Sequence, residues 1–366
     1  MQYQTNFSRG CFHHWTVSKA IMEFVQNFLD SDGEREWEFG EDYLTLTNKD
    51  IKVSNKLLMM GKSDKRDDSS KRGQFGVGSI QAMVVLTDQD IGVAIQNNGV
   101  CWSPTFAHCD KFGEDVMVIN ETPCNNGTNF SVTITGLSDC DIDEVKQRCL
   151  VFQDRKVLHS TQYGDIIENV DNQGEVFCGE IYVCQNKGFN YSYNFKPKGI
   201  ELSQDRNAVD NWELQKLTSK LITDTNDVEF IKQAMQSNKL DTEHVNKYWG
   251  NVASTPEAVD DSFAEDFLEE HGTAIVSSCY EEHRQHQKLG NKSVYVRNES
   301  IANAIRSSVV YREAMQNVVL VEKESFSDLF DKFVELASDL IYNDATQEAK
   351  DLFDALRERV DNREFD

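Results

Sequence analysis

Apolar and polar positions follow two different periods along the chain, and each change of period marks an element. In TVSKAIMEFVQNFLD, residues 16–30, the apolar residues recur every three or four positions, which predicts a helix with Thr16 or Ser18 as its N-cap. Within it Glu23, Asn27 and Asp30 share one face, while Phe24, Phe28 and Leu29 turn toward a core. A carboxylate and an amide on an otherwise apolar helix call for a cation, a metal or a substrate to meet them. Ser31-Asp32-Gly33 ends this helix. Residues 36–39 and 43–47 (YLTLT) alternate with period two on either side of Gly40, a hairpin-like strand pair that stops at Asn48-Lys49-Asp50.

Residues 51–62 hold a short helical run, followed by SDKRDDSSKR at 63–72, too polar to pack a core and therefore a loop. It runs into Gly73-Gln-Phe75-Gly76-Val77-Gly78 and then SIQAMVVL, a helix, so the glycines sit at a helix N-terminus. There the backbone amides can approach an anion, and the helix dipole adds partial positive charge. The pattern is neither a P-loop nor a dinucleotide-binding fingerprint. Strands follow at 91–96, 116–120 and 129–135, with turns at 97–99 and 125–127. This order implies an α+β fold, a two-layer sandwich in which helices cover one face of a sheet.

Residues 138–158 connect this layer to a second unit with strands at 180–184 and 190–195, then helices over 213–237. A linker is expected at 251–261. Beyond it, AIVSS and SVYVR predict strands flanking the solvated acidic helix that contains YEEHRQH, and two helices with acidic outer faces follow residue 325. The expected domains are 1–140, 141–250 (small, α/β) and 251–366 (acidic, α/β and helical).

The 366 residues carry 62 Asp and Glu against 37 Lys and Arg, a net charge of −25 that repels phosphate backbones. Direct nucleic-acid binding is not expected without a local basic groove. Nine cysteines with no CxxC pair suit reduced thiols better than disulfides or zinc. The polar and aromatic arm at 6–15, placed over a sheet edge or a neighbouring subunit, holds His13-His14 without a third ligand. The start MQYQTNFSRG is unlike a signal peptide and no stretch suits a bilayer, so the expected location is cytoplasmic, without membrane contact.

AIMEFVQNFLD resembles the helix motif of the GHKL (Bergerat-fold) ATPases, the superfamily of gyrase B subunits, heat-shock chaperone ATPases, histidine kinases and MutL. GQFGVGSIQA is similar to its second glycine motif, and Gly127-Thr128 before NFSVTIT to its third. The stretch LTLTNKDIKVSNKLLMMGKSDK, with KRGQFGVGSIQAMVVL and GVCWSP, resembles the smaller branch that includes the phage rIIA protein. The resemblance spans roughly residues 15–210, with distinct motifs in about the first 135. It implies a Bergerat-type sandwich that binds ATP and Mg2+.

Carried onto this chain, the resemblance makes Asn27 the magnesium ligand and Glu23 the base that orients and deprotonates the attacking water, with Asp30 in support. Gly73, Phe75, Gly76, Val77 and Gly78 become the phosphate cradle, and Ser63 and Lys65 belong to a lid. Arg206, in LSQDRN, reaches the γ-phosphate. The adenine-contacting Asp of the family's DxGxG is replaced by Asn48, whose amide can both accept and donate; Asp50 and Thr128 are further contacts there. The implied function is slow ATP hydrolysis coupled to lid closure and to rearrangement of a dimer or partner, in a phage-encoded protein acting on a host protein or defence system. The alternative is a non-catalytic acidic protein that keeps the fold and mimics nucleic acid or blocks a partner. A histidine kinase lacks support without a phospho-acceptor segment, as does a topoisomerase or repair protein without a cleavage domain.

Overall fold

The computed structural model describes residues 1–51, 53, 78–125, 127–197, 199–200, 210–247, 253–321, 346–347, 350–351 and 353–355. The chain divides into two compact units, Met1–Val259 and Asp260–Asp366.

The first unit is built on α1 (Val17–Asp30), which starts where the Thr16 hydroxyl accepts from the Lys19 N–H at 3.1 Å. Ala20, Ile21, Phe24, Val25, Phe28 and Leu29 are buried, as their spacing requires. The last carbonyls of a helix have no partner within it. Here they accept from the Ser31 hydroxyl (to Asn27 O, 2.7 Å), the Asn48 amide (to Phe28 O, 3.0 Å) and the Arg35 guanidinium (to Leu29 O, 2.7 Å).

β2 (Arg35–Phe39) and β3 (Tyr43–Asn48) form the expected antiparallel hairpin. With β1 (Gln2–Ser8), β4 (Gly92–Asn97), β5 (Val100–Cys109), β6 (Glu114–Pro123) and β7 (Phe130–Thr135) they complete an antiparallel sheet in the order β1-β6-β5-β4-β7-β3-β2. Leu44 and Leu46, Val93 and Ile95, and Val132 and Ile134 point from three adjacent strands into one core with α1 and α2 (Gly78–Asp88). On the opposite face the hydroxyls of Thr45 and Thr133 (3.2 Å) and of Thr47 and Ser131 (3.0 Å) bond across the strands. The start of the aromatic arm belongs to β1 at the edge of this sheet.

Sequence alternation did not reveal β5. VCWSPTFAHC contains Pro104 and lacks a clean period of two, yet ten residues pair with β6. β4 pairs only as far as Trp102, so Pro104 costs no ladder bond on that side. The stretch at 138–158 also contains more than a connection. α3 (Asp139–Arg148) opens with a capping box between Ser138 and Asp141 and packs Ile142 and Val145 into the same core.

A second sheet follows in the order β11-β10-β12-β9-β8, from β8 (Val157–Ser160), β9 (Gly164–Ile167), β10 (Glu175–Cys178), β11 (Ile181–Gln185) and β12 (Ser192–Phe195). β10 and β12 run parallel and the other neighbours antiparallel. The expected β11 and β12 are present. The three other strands span four residues each, too few to show a period.

Asp241 ties this sheet to α4 (Asn211–Asp224), which precedes α5 (Val228–Gln236). Its carboxylate is buried and accepts from the N–H of Asn190 (2.8 Å), the N–H of Tyr191 (3.1 Å) and the hydroxyl of Tyr193 (2.7 Å). Its carbonyl accepts from Ser219 at 3.0 Å. Burial pushes its carboxyl up from the usual range, against the lowering effect of those three donors. The folded-state pKa thus lies above the unfolded one, so this group's contribution to stability is complete at low pH and is lost as pH rises through the folded value. Asp241→Asn is expected to flatten that decline in urea melts from about pH 4 to about pH 7; an unchanged pH slope refutes the assignment.

The second unit begins within α6 (Glu257–His271) and contains β13 (Ile275–Ser277), α7 (Tyr280–Lys288), β14 (Ser293–Tyr295), α8 (Glu299–Ser307) and α9 (Val309–Met315). The expected linker at 251–261 is shorter than its composition suggests, because Pro256 immediately precedes α6 and suits a helix start. β13 and β14 pair in parallel, joined by α7. The Tyr311 hydroxyl donates to Ala274 O and accepts from Val276 N, both at 3.0 Å. The two expected C-terminal helices fall almost wholly outside the described residues. Among the described residues no helix is long and apolar enough to cross a membrane.

Candidate functional site

Glu23 and Asn27, one helical turn apart on α1, both meet the first turn of α2. A Cβ on Gly78 would overlap the Glu23 carboxylate, with Glu23 Cδ 2.8 Å and Cγ 3.3 Å away. Only glycine leaves that carboxylate its place beside the start of α2, where the helix dipole favours negative charge. The Asn27 amide donates to Ser79 Oγ at 2.9 Å and to Glu23 O at 3.0 Å. Both amide hydrogens are engaged, which fixes the orientation of the Asn27 carbonyl oxygen, the atom a hard cation would take. Asp30 is buried at the end of the same helix.

The next residue of α1 leads to the other end of the site. Phe28 O accepts from Asn48, the last residue of β3, which is 1% exposed. Its NH2 group therefore serves the helix terminus. Just beyond, Asp50 has a positive φ of 54°, accepts from the Thr128 hydroxyl at 2.6 Å, and donates its N–H to Asn129 Oδ1 at 3.3 Å. The structure thus brings Glu23, Asn27 and Gly78 together and joins Asn48 to them through α1, while Asp50 and Thr128 bond to each other just beyond Asn48. Ser63, Lys65, Gly73, Phe75, Gly76, Val77 and Arg206 lie outside the described residues.

Asn97 is a residue that sequence reasoning placed in a turn. It ends β4 in register with Phe130 of β7, which is itself in register with Asn48. Buried to 1% exposure, its side chain accepts from Val53 N at 3.2 Å and donates to Val53 O at 2.7 Å. It holds the backbone that leaves β3 and the Asp50 turn. An Asn before Asn-Gly signals a hairpin turn; only the pairing of β4 with β7 shows that this one reaches across to another segment.

A carboxylate, an oriented amide and a glycine at a helix start can bind a hydrated divalent cation with a phosphate and hold a water beside them. Among curated protein sequences none matches this chain. Two solved structures similar to it are the ATPase region of Saccharomyces cerevisiae topoisomerase II and the same region bound to ICRF-187 (dexrazoxane). Each shares 9% identity at a TM-score of 0.38 over 62% of this chain; the coverage of their own chains is 84% and 85% respectively. A family model described as the Mycoplasma pneumoniae MPN635 N-terminal domain matches residues 140–228, from α3 through the second sheet and α4 to the first residue of α5.

Proposed function

We propose that the chain binds Mg·ATP against α1 and the start of α2 and hydrolyses it slowly. The observation that carries this reading is the joint contact of Glu23 and Asn27 with Gly78 and Ser79, two motif segments about fifty residues apart in sequence. The donor set fits the group: an amide oxygen of fixed orientation suits Mg2+, and the absence of a Cβ at Gly78 leaves room for the Glu23 carboxylate. Mg2+, when bound, neutralises phosphate charge and polarises the transferring phosphoryl group. Asn27 would hold the cation through its carbonyl oxygen. Glu23 orients a water and accepts its proton at the carboxylate. Asn48 shapes the opposite end through its bond to Phe28 O, and the bonded pair Asp50 and Thr128 would contact the adenine there.

Carried from the sequence resemblance are the phosphate contacts of residues 73–77, the lid residues Ser63 and Lys65, and Arg206 at the γ-phosphate. Coupling of turnover to lid closure and to a dimer or partner rearrangement has the same support. So do the kinship with the phage rIIA branch and a host protein or defence system as target; a cytoplasmic location is supported instead by the cysteine usage. Titration calorimetry with ATP and Mg2+ tests the proposal: saturable heat that disappears with EDTA is expected. No heat from the wild-type protein overturns it in favour of a non-catalytic acidic protein.

A further inference from the structure

One stretch of the second unit reverses the charge of the chain. From His283 to Arg297 there are four Lys or Arg and no Asp or Glu, in a protein of net charge −25. The fold gathers these residues around β13, α7 and β14. Tyr280 and His283 of α7 meet Tyr295 of β14, with ring centroids 6.0 to 6.4 Å apart across the three pairs. His283 is seated over the strands by its contact with the Ser293 hydroxyl at 3.0 Å. Tyr280 remains 63% exposed and Tyr295 40%.

Arg284 and Lys288 follow Tyr280 at intervals of four, on the same helical stripe, and Arg297 lies two residues past Tyr295, at the bend that follows β14. All three are exposed, and among the described residues they have no ion-pair partner. Their basic neighbours are committed elsewhere. Arg306 is bound to Glu282 at 2.9 Å and to Val276 O at 2.8 Å, and the Lys292 ammonium donates to His271 O.

We propose that this face docks single-stranded nucleic acid, with Arg284, Lys288 and Arg297 on phosphates and the Tyr280 and Tyr295 rings offering stacking surface to bases. Unpaired cations beside exposed aromatic rings are the combination that single strands use, since every base has a π-face. An acidic peptide matches the cations and leaves the rings without a role. The acidic remainder of the chain repels a polyanion and so confines it to this face. The expectation of no direct nucleic-acid binding followed from net charge; the clustering of these side chains supplies the local basic surface that net charge conceals.

The test is fluorescence anisotropy of the full chain with labelled oligothymidine and oligouridine of about 20 nucleotides over a salt series. Three phosphate contacts set a log–log salt slope of about −2 for a single strand. Combining Arg284→Glu, Lys288→Glu and Arg297→Glu is expected to weaken binding at least about tenfold. Combining Tyr280→Ala with Tyr295→Ala should weaken oligonucleotide binding several-fold and leave heparin, a polyanion without bases, unaffected. The two oligonucleotides separate DNA from RNA as the preferred strand. Absence of binding at low salt, equal competition by polyglutamate, or indifference to the tyrosine pair overturns the proposal. The wild-type salt series and the tyrosine pair keep the test decisive if the charge-reversed variant fails to fold.

Discussion

Asn48→Asp is expected to lower the melting temperature at neutral pH by about 5–10 °C, although aspartate is the residue that the ATPase resemblance implies at this position. Asn48 is 1% exposed and donates to Phe28 O at 3.0 Å. A carboxylate there removes the donor, leaves the Phe28 carbonyl facing negative charge, and buries that charge at the negative end of the α1 dipole. A lost buried donor alone costs about 1–3 kcal/mol, and each kcal/mol shifts the melting temperature of a domain this size by about 2–4 °C. The defect is pH-dependent. Burial raises the introduced carboxyl's pKa above its unfolded value, so its destabilising effect grows as pH rises from about 4, while at lower pH the same carboxyl is protonated and can donate again. Calorimetric melts at both ends of that range check the sign, and a variant as stable as the wild type at neutral pH removes Asn48 from its place at the helix end.

The second large effect belongs to chemistry. If the wild-type protein releases phosphate from ATP, Glu23→Ala should slow release by about 10²- to 10⁴-fold, the usual contribution of a positioned base. Nucleotide affinity measured by calorimetry should stay within a few-fold, because Asn27 keeps its bond to Ser79 and its carbonyl oxygen stays oriented. Turnover unchanged in Glu23→Ala excludes Glu23 as the base. Loss of both affinity and turnover assigns it to binding instead.

Local signals make α1, its Thr16 cap, the hairpin around Gly40 and the strands β4, β6 and β7 legible in the sequence. Their period and caps are written within a few residues of where they act. β5 stayed hidden because its evidence is a partner strand, and Pro104 argues against a strand unless the end of β4 pairing is known. β8, β9 and β10 are shorter than the window in which alternation can be counted. At the candidate site, the three-four spacing placed Glu23 and Asn27 on one face, and their contacts lie on the predicted second helix. The work of Asn48 and Asn97 was not legible. Each bonds to backbone distant in sequence, Phe28 O in one case and Val53 in the other, and no local pattern encodes such a pairing.

The clamping of the α1 terminus by Ser31, Arg35 and Asn48 also has a mechanical consequence. Three side chains from outside the helix, one of them on β3, hold three successive carbonyls, so the last turn cannot fray or unwind on its own. Glu23 and Asn27 stand on the same rod, Glu23 a full turn upstream of the clamped carbonyls. A push at the β3 end is therefore delivered to them as a rotation or translation of the whole helix, and the two ends of the site are geared together through the α1 backbone.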